Sequence, residues 1–272
     1  MSHGPTYAPN GVLKIRKSML EDFGFCPHRF KKVWQDGVER KPNQAMLMGT
    51  RFHDFAQTFF EYALVVDPLK WDGFIPKEFI PEEVAMASWF INNERERYFA
   101  LKAEGRILEF LPILREFKLN SEKLYLEGTV DRVDWLSKEK GLAIAVEYKT
   151  GKSINHESIT KQLAMYALMY HDMRLDGEIV GLRLINPRLG VVKDYKLERW
   201  HTDKVLKDIV KLRDALRNKD FPAKCSDVKY AFCRMCTPEE SGIKDGFDDA
   251  PMNNDVDPNR LNFRFTDVYK DD

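Results

Sequence analysis

Three ionisable residues, Asp131, Glu147 and Lys149, fall on two short stretches, "EGTVDRVDW" and "GLAIAVEYKTG", both rich in β-formers. A turn segment, "SKEKG", separates them. Alternation along "AIAVEYKTG" puts Ile144, Val146 and Tyr148 on one strand face. Ala143, Ala145, Glu147 and Lys149 share the other, where the small alanines leave room beside the charges. The run is apolar on both faces before those charges, as in a strand buried within a sheet. Unpaired charge at the end of such a strand is costly. A Glu147–Lys149 salt bridge would answer that cost. Asp131 adds a second carboxylate, which a hairpin brings towards Glu147. Two carboxylates at one spot repel unless a cation lies between them or one keeps its proton. Hard oxygen ligands favour Mg²⁺ or Mn²⁺. Such an ion polarises a phosphoryl oxygen and acidifies a bound water, and a lysine alongside positions that water or stabilises developing negative charge. That is the chemistry of phosphodiester hydrolysis.

The wider pattern is Gly128-x-x-Asp131, then Glu147-x-Lys149-Thr150-Gly151, then Gln162-x-x-x-Tyr166. Gln162 and Tyr166, four apart, share one helix face. Together these motifs resemble the PD-(D/E)XK nuclease superfamily, and most closely its RecB-type branch of CRISPR-adaptation and recombination nucleases. The resemblance extends upstream to Gly49-x-x-x-His53 and to Glu116 on the preceding strand. It implies His53, Asp131 and Glu147 as metal ligands, and Asp131, Glu147, Lys149, Gln162, Tyr166 and Glu116 as the catalytic set. Asp131 rather than Asp134 holds the Gly-x-x-Asp position, and three residues of strand turn Asp134 to the opposite face. The implied reaction is metal-dependent hydrolysis of DNA, with exonuclease action on ends. The complete Asp131, Glu147, Lys149 set argues against the rival class, a DNA-binding or assembly module without turnover.

The four cysteines are Cys26, Cys225, Cys233 and Cys236, the last three within "CSDVKYAFCRMC". Three clustered cysteines and one distant partner point to a shared site, either an iron–sulfur cluster or a structural zinc. Spacing does not decide between them. The resemblance implies a four-iron four-sulfur cluster, because some relatives carry one cysteine before the nuclease core and three after it.

The elements that must position these groups follow from periodicity and punctuation. Ser18 with Glu21 fits a capping box, so a helix is expected there. It breaks around Gly24 and Cys26, and Pro27 opens the next helix. Helices are also expected over 43–64, 82–104, 158–173 and 202–218. "ILEFLPILREFKL", "KLYLEGTVDRVDWL", "GLAIAVEYKTG", "EIVGLRLINPR" and "GVVKDYKLER" read as strands. The fold class is therefore α/β, a restriction-endonuclease-like mixed sheet flanked by helices. The expected division is a helical part over 1–106, a nuclease core over 107–220, a cysteine segment over 221–236 that clips the chain, and an acidic tail over 237–272, partly disordered or draped over the surface.

The chain has 272 residues, 43% hydrophobic and 32% charged, the composition of a soluble globular protein. No apolar run is long enough to cross a membrane, and the first residues lack the apolar core of a secretory leader, so the expected setting is cytoplasmic. Net charge is zero, but residues 237–272 hold ten acids against four bases. The first 236 residues are correspondingly basic, which is compatible with a polyanion. With DNA as the implied partner, single-stranded or with free ends, Arg132, Lys152, Lys161 and Arg29 are candidate phosphate contacts, with Lys31 and Lys32 nearby. Recombination or CRISPR-adaptation proteins and oligomers, as in ring-forming relatives, are further implied partners.

Overall fold

The computed structural model describes residues 4–38, 43–224 and 233. The chain divides into two compact units, Met1–Lys224 and Cys225–Asp272. Of the second only Cys233 is described, so Cys225, Cys236 and the acidic tail lie outside the described residues. In the first unit the order is α1 (Lys17–Phe25), α2 (Pro27–Phe30, running into a single π turn), α3 (Gln44–Val65) and α4 (Pro81–Ala103). There follow β1 (Leu114–Ser121), β2 (Leu126–Ser137), β3 (Leu142–Tyr148), α5 (His156–Asp172), β4 (Glu178–Asn186), β5 (Val191–Lys196) and α6 (Arg199–Asn218).

The five strands form one sheet in the order β1-β2-β3-β4-β5. All neighbours are antiparallel except β3 and β4, which α5 connects as a crossover. This is the mixed α/β sheet that the strand–strand–helix–strand pattern predicts. Its two faces carry separate cores. Ala143 and Ala145 of β3 face α1, α5 and α6, with Leu163, Tyr166 and Ile209. Val146 and Tyr148 face α3 and α4, with Phe52, Phe59 and Phe90. The alternation read along β3 thus sorts its side chains between the two layers.

Two element boundaries differ from the sequence pattern. Ser18 does not cap α1; the helix starts at Lys17, with Arg16 flanking it. The reason is a tertiary pairing just upstream. Ile15 exchanges backbone hydrogen bonds with Tyr125 and Glu127 at 2.8 and 3.1 Å, which fixes the chain to the start of β2 and starts the helix directly afterwards. The first strand begins at Leu114 and not at Ile107, since Ile107–Glu109 forms a 3₁₀ turn. Pro112 has no N–H to give to a ladder.

Beneath the sheet, on the α3/α4 side, lies a buried polar network. The apolar stripe of α4 contains Met86, Ala87, Phe90 and Ile91, and then Glu94, which has no exposure at all. Its carboxylate accepts hydrogen bonds from Arg132 at 2.8 Å and Arg97 at 2.9 Å. Arg132 also donates to Asp134 at 2.7 Å and to the Tyr148 hydroxyl at 3.0 Å, and its guanidinium lies over the Phe60 ring. With 1% exposure, Arg132 cannot meet a phosphate, which overturns the expectation that it contacts DNA. Its neighbours explain why: two buried carboxylates need this cation, and removing one partner of such a group strands the others.

Burial pushes the Glu94 carboxyl up, but the charges of Arg132 and Arg97 outweigh it and hold the group below the usual carboxylate range. A depressed carboxylate adds stability that is present above its unfolded value, near 4.5, and is lost as pH falls through the folded one. Glu94→Gln should therefore unfold at lower denaturant than wild type at pH 7, by about 3 kcal/mol. Its stability should decline less steeply with acid. Parallel pH profiles of the two proteins would show that Glu94 is not held ionised.

Candidate active site

The ladder between β2 and β3 runs as far as the Arg132–Val146 pair. One step further along stand Asp131 and Glu147. Here the Asp131 carboxylate accepts the backbone N–H of Tyr148 at 2.7 Å. A side chain thus occupies the place of a backbone acceptor, and the strands part around it. On the other side of β2, pairing with β1 holds at Arg115–Arg132 and Phe117–Val130 but skips Glu116. Glu116 has a φ of +41°, a left-handed backbone inside a strand. That conformation costs about 1–3 kcal/mol for a non-glycine residue. It sits opposite Asp131, where the sheet is irregular on both sides at once.

His53 reaches this spot from α3. Gly49, one turn earlier, lets the helix approach the loop after β3: a Cβ there would lie 3.2 Å from the Thr150 hydroxyl. His53 Nδ1 stands 3.3 Å from Glu116 Oε1 and 3.5 Å from Asp131 Oδ1. One ligand atom from each of the three residues lies within 4.8 Å of the other two. These separations suit donor atoms gathered around a common centre.

Protonation agrees with that geometry. Burial pulls the His53 imidazole down, but the Asp131 charge and hydrogen bonds to Asp131 and Glu116 outweigh it, and the group is pushed up to about 11. Asp131 is itself pushed up to about 6, first by burial and then by the charge of Glu147. The His53 shift comes from the neighbouring carboxylates, and the Asp131 shift from burial first and the Glu147 charge second. A nitrogen and two carboxylates in this arrangement fit a divalent cation of the Mg²⁺ or Mn²⁺ type.

Glu147 belongs to a different set of contacts. One carboxylate oxygen accepts the Lys149 ammonium and the other lies 3.0 Å from the Tyr166 hydroxyl. Among the described residues, His53, Glu116 and Asp131 offer ligand atoms close to one another, and Glu147 is not in that group. Glu147 is turned to its lysine and tyrosine. Burial pulls Lys149 down, and the nearby charges of Glu147 and Asp131 reverse this and raise it. Tyr166 also lies 2.7 Å from the Thr129 carbonyl, so its single proton faces two acceptors. Gln162 donates to the same hydroxyl from one turn back. Gly128 makes room for this helix, since a Cβ there would meet the Met169 methyl at 3.2 Å. The i, i+4 spacing of Gln162 and Tyr166 thus converges on Glu147.

The remaining predicted contacts are dispersed. Lys161 pairs with Asp208 of α6 at 2.8 Å, and Arg29 pairs with Asp22 at 3.1 Å over the Phe25 ring. Lys152 is exposed. Phe30 and Phe52 are core residues. Two α1 residues outside the predicted set, Lys17 and Glu21, reach the active-site charges instead: Lys17 acts on Glu147 and Glu21 on Lys149. The available signal was a lysine in the first turn of a helix, where the macrodipole disfavours it.

The arrangement joins two carboxylates on neighbouring strands, Asp131 and Glu147, to a lysine two residues beyond the second. The model of the PD-(D/E)XK nuclease superfamily matches residues 17–240. The chain belongs to that superfamily. The match begins at the first residue of α1 and so takes in the N-terminal helices as well as the sheet. A crystal structure from Eubacterium rectale, described as "Putative exonuclease", is similar to this superfamily member with a TM-score of 0.49. The two are 13% identical over 82% of this chain and 87% of that one. No curated protein matches. Among the described residues, no helix is long and apolar enough to cross a membrane.

A cation at His53, Glu116 and Asp131 must displace protons. Both raised groups favour the protonated cluster, so acid should weaken metal binding. The Asp131 share of the affinity should fall as pH drops through about 6, and the imidazole proton should be released at any pH below about 11. Calorimetric titration with Mn²⁺ in buffers of different ionisation enthalpy should show about one proton released per ion at neutral pH, and fewer for His53→Gln. Buffer-independent heats would contradict a protonated His53 in the metal-free cluster.

Proposed function

We propose that this chain is a metal-dependent deoxyribonuclease, acting as an exonuclease on DNA ends, single-stranded or duplex. The observation that carries the reading is the gathering of His53, Glu116 and Asp131 beside the Lys149–Glu147–Tyr166 chain of contacts. His53, Glu116 and Asp131 would hold Mg²⁺ or Mn²⁺. When bound, the ion supplies Lewis-acid polarisation of the phosphoryl oxygen and a more acidic water. The protein's own groups do the rest. The Tyr148 N–H fixes the orientation of Asp131. Lys149, half-exposed at the end of β3, positions the attacking water and faces the charge that develops on the phosphate. Glu147 keeps that ammonium charged and in place. Tyr166, steadied by Gln162, limits the rotation of Glu147. Buried surroundings raise the worth of each of these charges. Action on ends, and a role in recombination, repair, CRISPR adaptation or phage DNA metabolism, follow from the likeness of the motifs to the RecB-type branch. Lys152, exposed in the loop after β3, remains the predicted phosphate contact best placed to serve.

We further propose a four-iron four-sulfur cluster held by Cys26, Cys225, Cys233 and Cys236, with zinc as the alternative ion. Its support is the sequence pattern, one cysteine before the nuclease motifs and three after them. The cluster reading predicts a brown protein with broad visible absorption and stoichiometric iron and sulfide. A colourless protein carrying zinc would establish the alternative.

End-labelled DNA digested with Mn²⁺ or Mg²⁺ tests the main reading. Lys149→Ala and Asp131→Asn should each lose at least about 10³-fold in rate, and Tyr166→Phe about tenfold. A wild-type protein with metal and cluster intact that leaves both single-stranded and duplex ends untouched would sink the nuclease reading.

A further inference from the structure

A groove of about 360 Å³ lies where the N-terminal segment, the π turn after α2 and the last turns of α6 meet. An antiparallel bridge between Tyr7 and Leu13 folds the N-terminal segment into a small loop. Tyr7 lines the groove from that loop and is 59% exposed. Leu13, Trp34 and Leu216 line its inner side, where they pack against the core of the α1/α5/α6 layer. The Trp34 indole N–H donates to Asp22 at 2.8 Å, which fixes the ring in the groove wall. A volume of this size is that of a ligand site.

Two arginines of α6, Arg213 and Arg217, complete the lining, and no acidic side chain belongs to it. Arg213 donates to the Leu124 carbonyl at 3.0 Å, and its guanidinium lies over the Tyr125 ring at 5.4 Å. Those contacts use one of its five donors. Among the described residues no carboxylate pairs with it. It is half-buried, and burial pulls it below the ordinary arginine value. A cation so placed without a counter-ion is costly, and an anion in the groove would remove that cost. Arg217 pairs with Asp214 at 3.3 Å, but both are largely exposed, and such a pair is worth little. Rings for flat bases, cations for phosphates and no acid are the composition of a groove for single-stranded nucleic acid.

The groove also stands in line with the active site. Tyr125, under Arg213, immediately precedes β2, and Asp131 lies six residues further along the chain. That is about 20 Å at the rise of a strand, or about six nucleotides at the ~3.4 Å step of a stacked strand. We propose that the groove binds single-stranded DNA about six nucleotides from the scissile phosphate, with bases stacked on Trp34 and Tyr7 and phosphates held by Arg213 and Arg217. The choice of DNA as the occupant rests on the nuclease reading above.

The test uses the full chain and two fluorescently labelled single strands, of about 20 and about five nucleotides, with EDTA for binding and Mn²⁺ for turnover. Wild type should bind the longer strand at least about tenfold tighter, since only that strand fills the groove and the active site together. Arg213→Gln should lower the slope of log affinity against log salt by about 0.7, the share of one phosphate on a single strand, and Arg213→Lys should restore it. Tyr7→Ala, at an exposed position, should weaken the longer strand about fivefold and leave the slope as it is. Trp34→Leu should weaken it about tenfold, and Trp34→Phe, which keeps a ring, should recover most of that loss. On the longer strand these variants should raise KM more than they lower kcat. The proposal fails if Arg213→Gln and Tyr7→Ala both keep wild-type affinity and slope on a protein that cleaves DNA. It fails if they weaken a blunt duplex as much as the single strand, which would make the patch a general basic surface. It fails too if thymidine monophosphate binds as tightly as the longer strand, which would make the groove a nucleotide pocket. A wild type that neither binds nor cleaves DNA overturns the nuclease reading itself, and is thereby told apart from failure of the groove.

Discussion

Two carboxylates buried on adjacent strands, one step beyond the last regular pair of their ladder, set the terms for the first unit. Asp131 and Glu147 repel, and neither can be relieved by water at their depth. Each is neutralised by a different route. Glu147 takes the Lys149 ammonium and the Tyr166 hydroxyl. Asp131 takes a backbone N–H and the proton of His53, and still sits well above the usual carboxylate range. The consequence reaches four other elements. β1 bends to bring Glu116, α3 is admitted by Gly49 to bring His53, α5 is admitted by Gly128 to bring Tyr166, and α1 brings Lys17.

Strand β2 shows how the same cost is met in two ways on its two faces. Arg132 and Asp134, facing α4, are locked with Glu94, Arg97 and Tyr148 into a network whose cations and carboxylates balance. That network fixes the register of β2 and the docking of α4, and it offers nothing to a ligand. Asp131, one residue away and turned to the other face, is left with an excess of negative charge. The balanced network holds its members in place, while Asp131 lies in a cluster that could hold a cation. The rigid half stands directly behind the reactive half, which keeps Asp131 from relaxing away from Glu147.

Most of the fold was legible because its strands obey a period of two and its helices carry clear apolar stripes. The alternation in β3 assigned both cores and placed Glu147 and Lys149 together. Spacing also read the Gln162–Tyr166 pair, since a helix enforces contact at four residues. What escaped was set by tertiary geometry. Arg132 reads as an exposed base beside an acid, and only the buried Glu94, from a distant helix, explains its burial. The left-handed backbone of Glu116 leaves no trace in residue types. The Ser18–Glu21 capping box failed because Ile15 pairs with β2 and resets the start of the helix. Glu21 was thereby released for Lys17 and Ser158.

The strain at Glu116 follows from the same constraint. A left-handed residue interrupts the ladder for one step and turns the carboxylate to His53 without shifting the register on either side, since Arg115 and Phe117 pair as though nothing intervened. The sheet meets that cost with two long ladders of its own and with the network behind Arg132. Substituting glycine at position 116 would relieve the backbone but delete the carboxylate beside His53. The strained residue and the carboxylate that faces His53 are therefore one feature of β1.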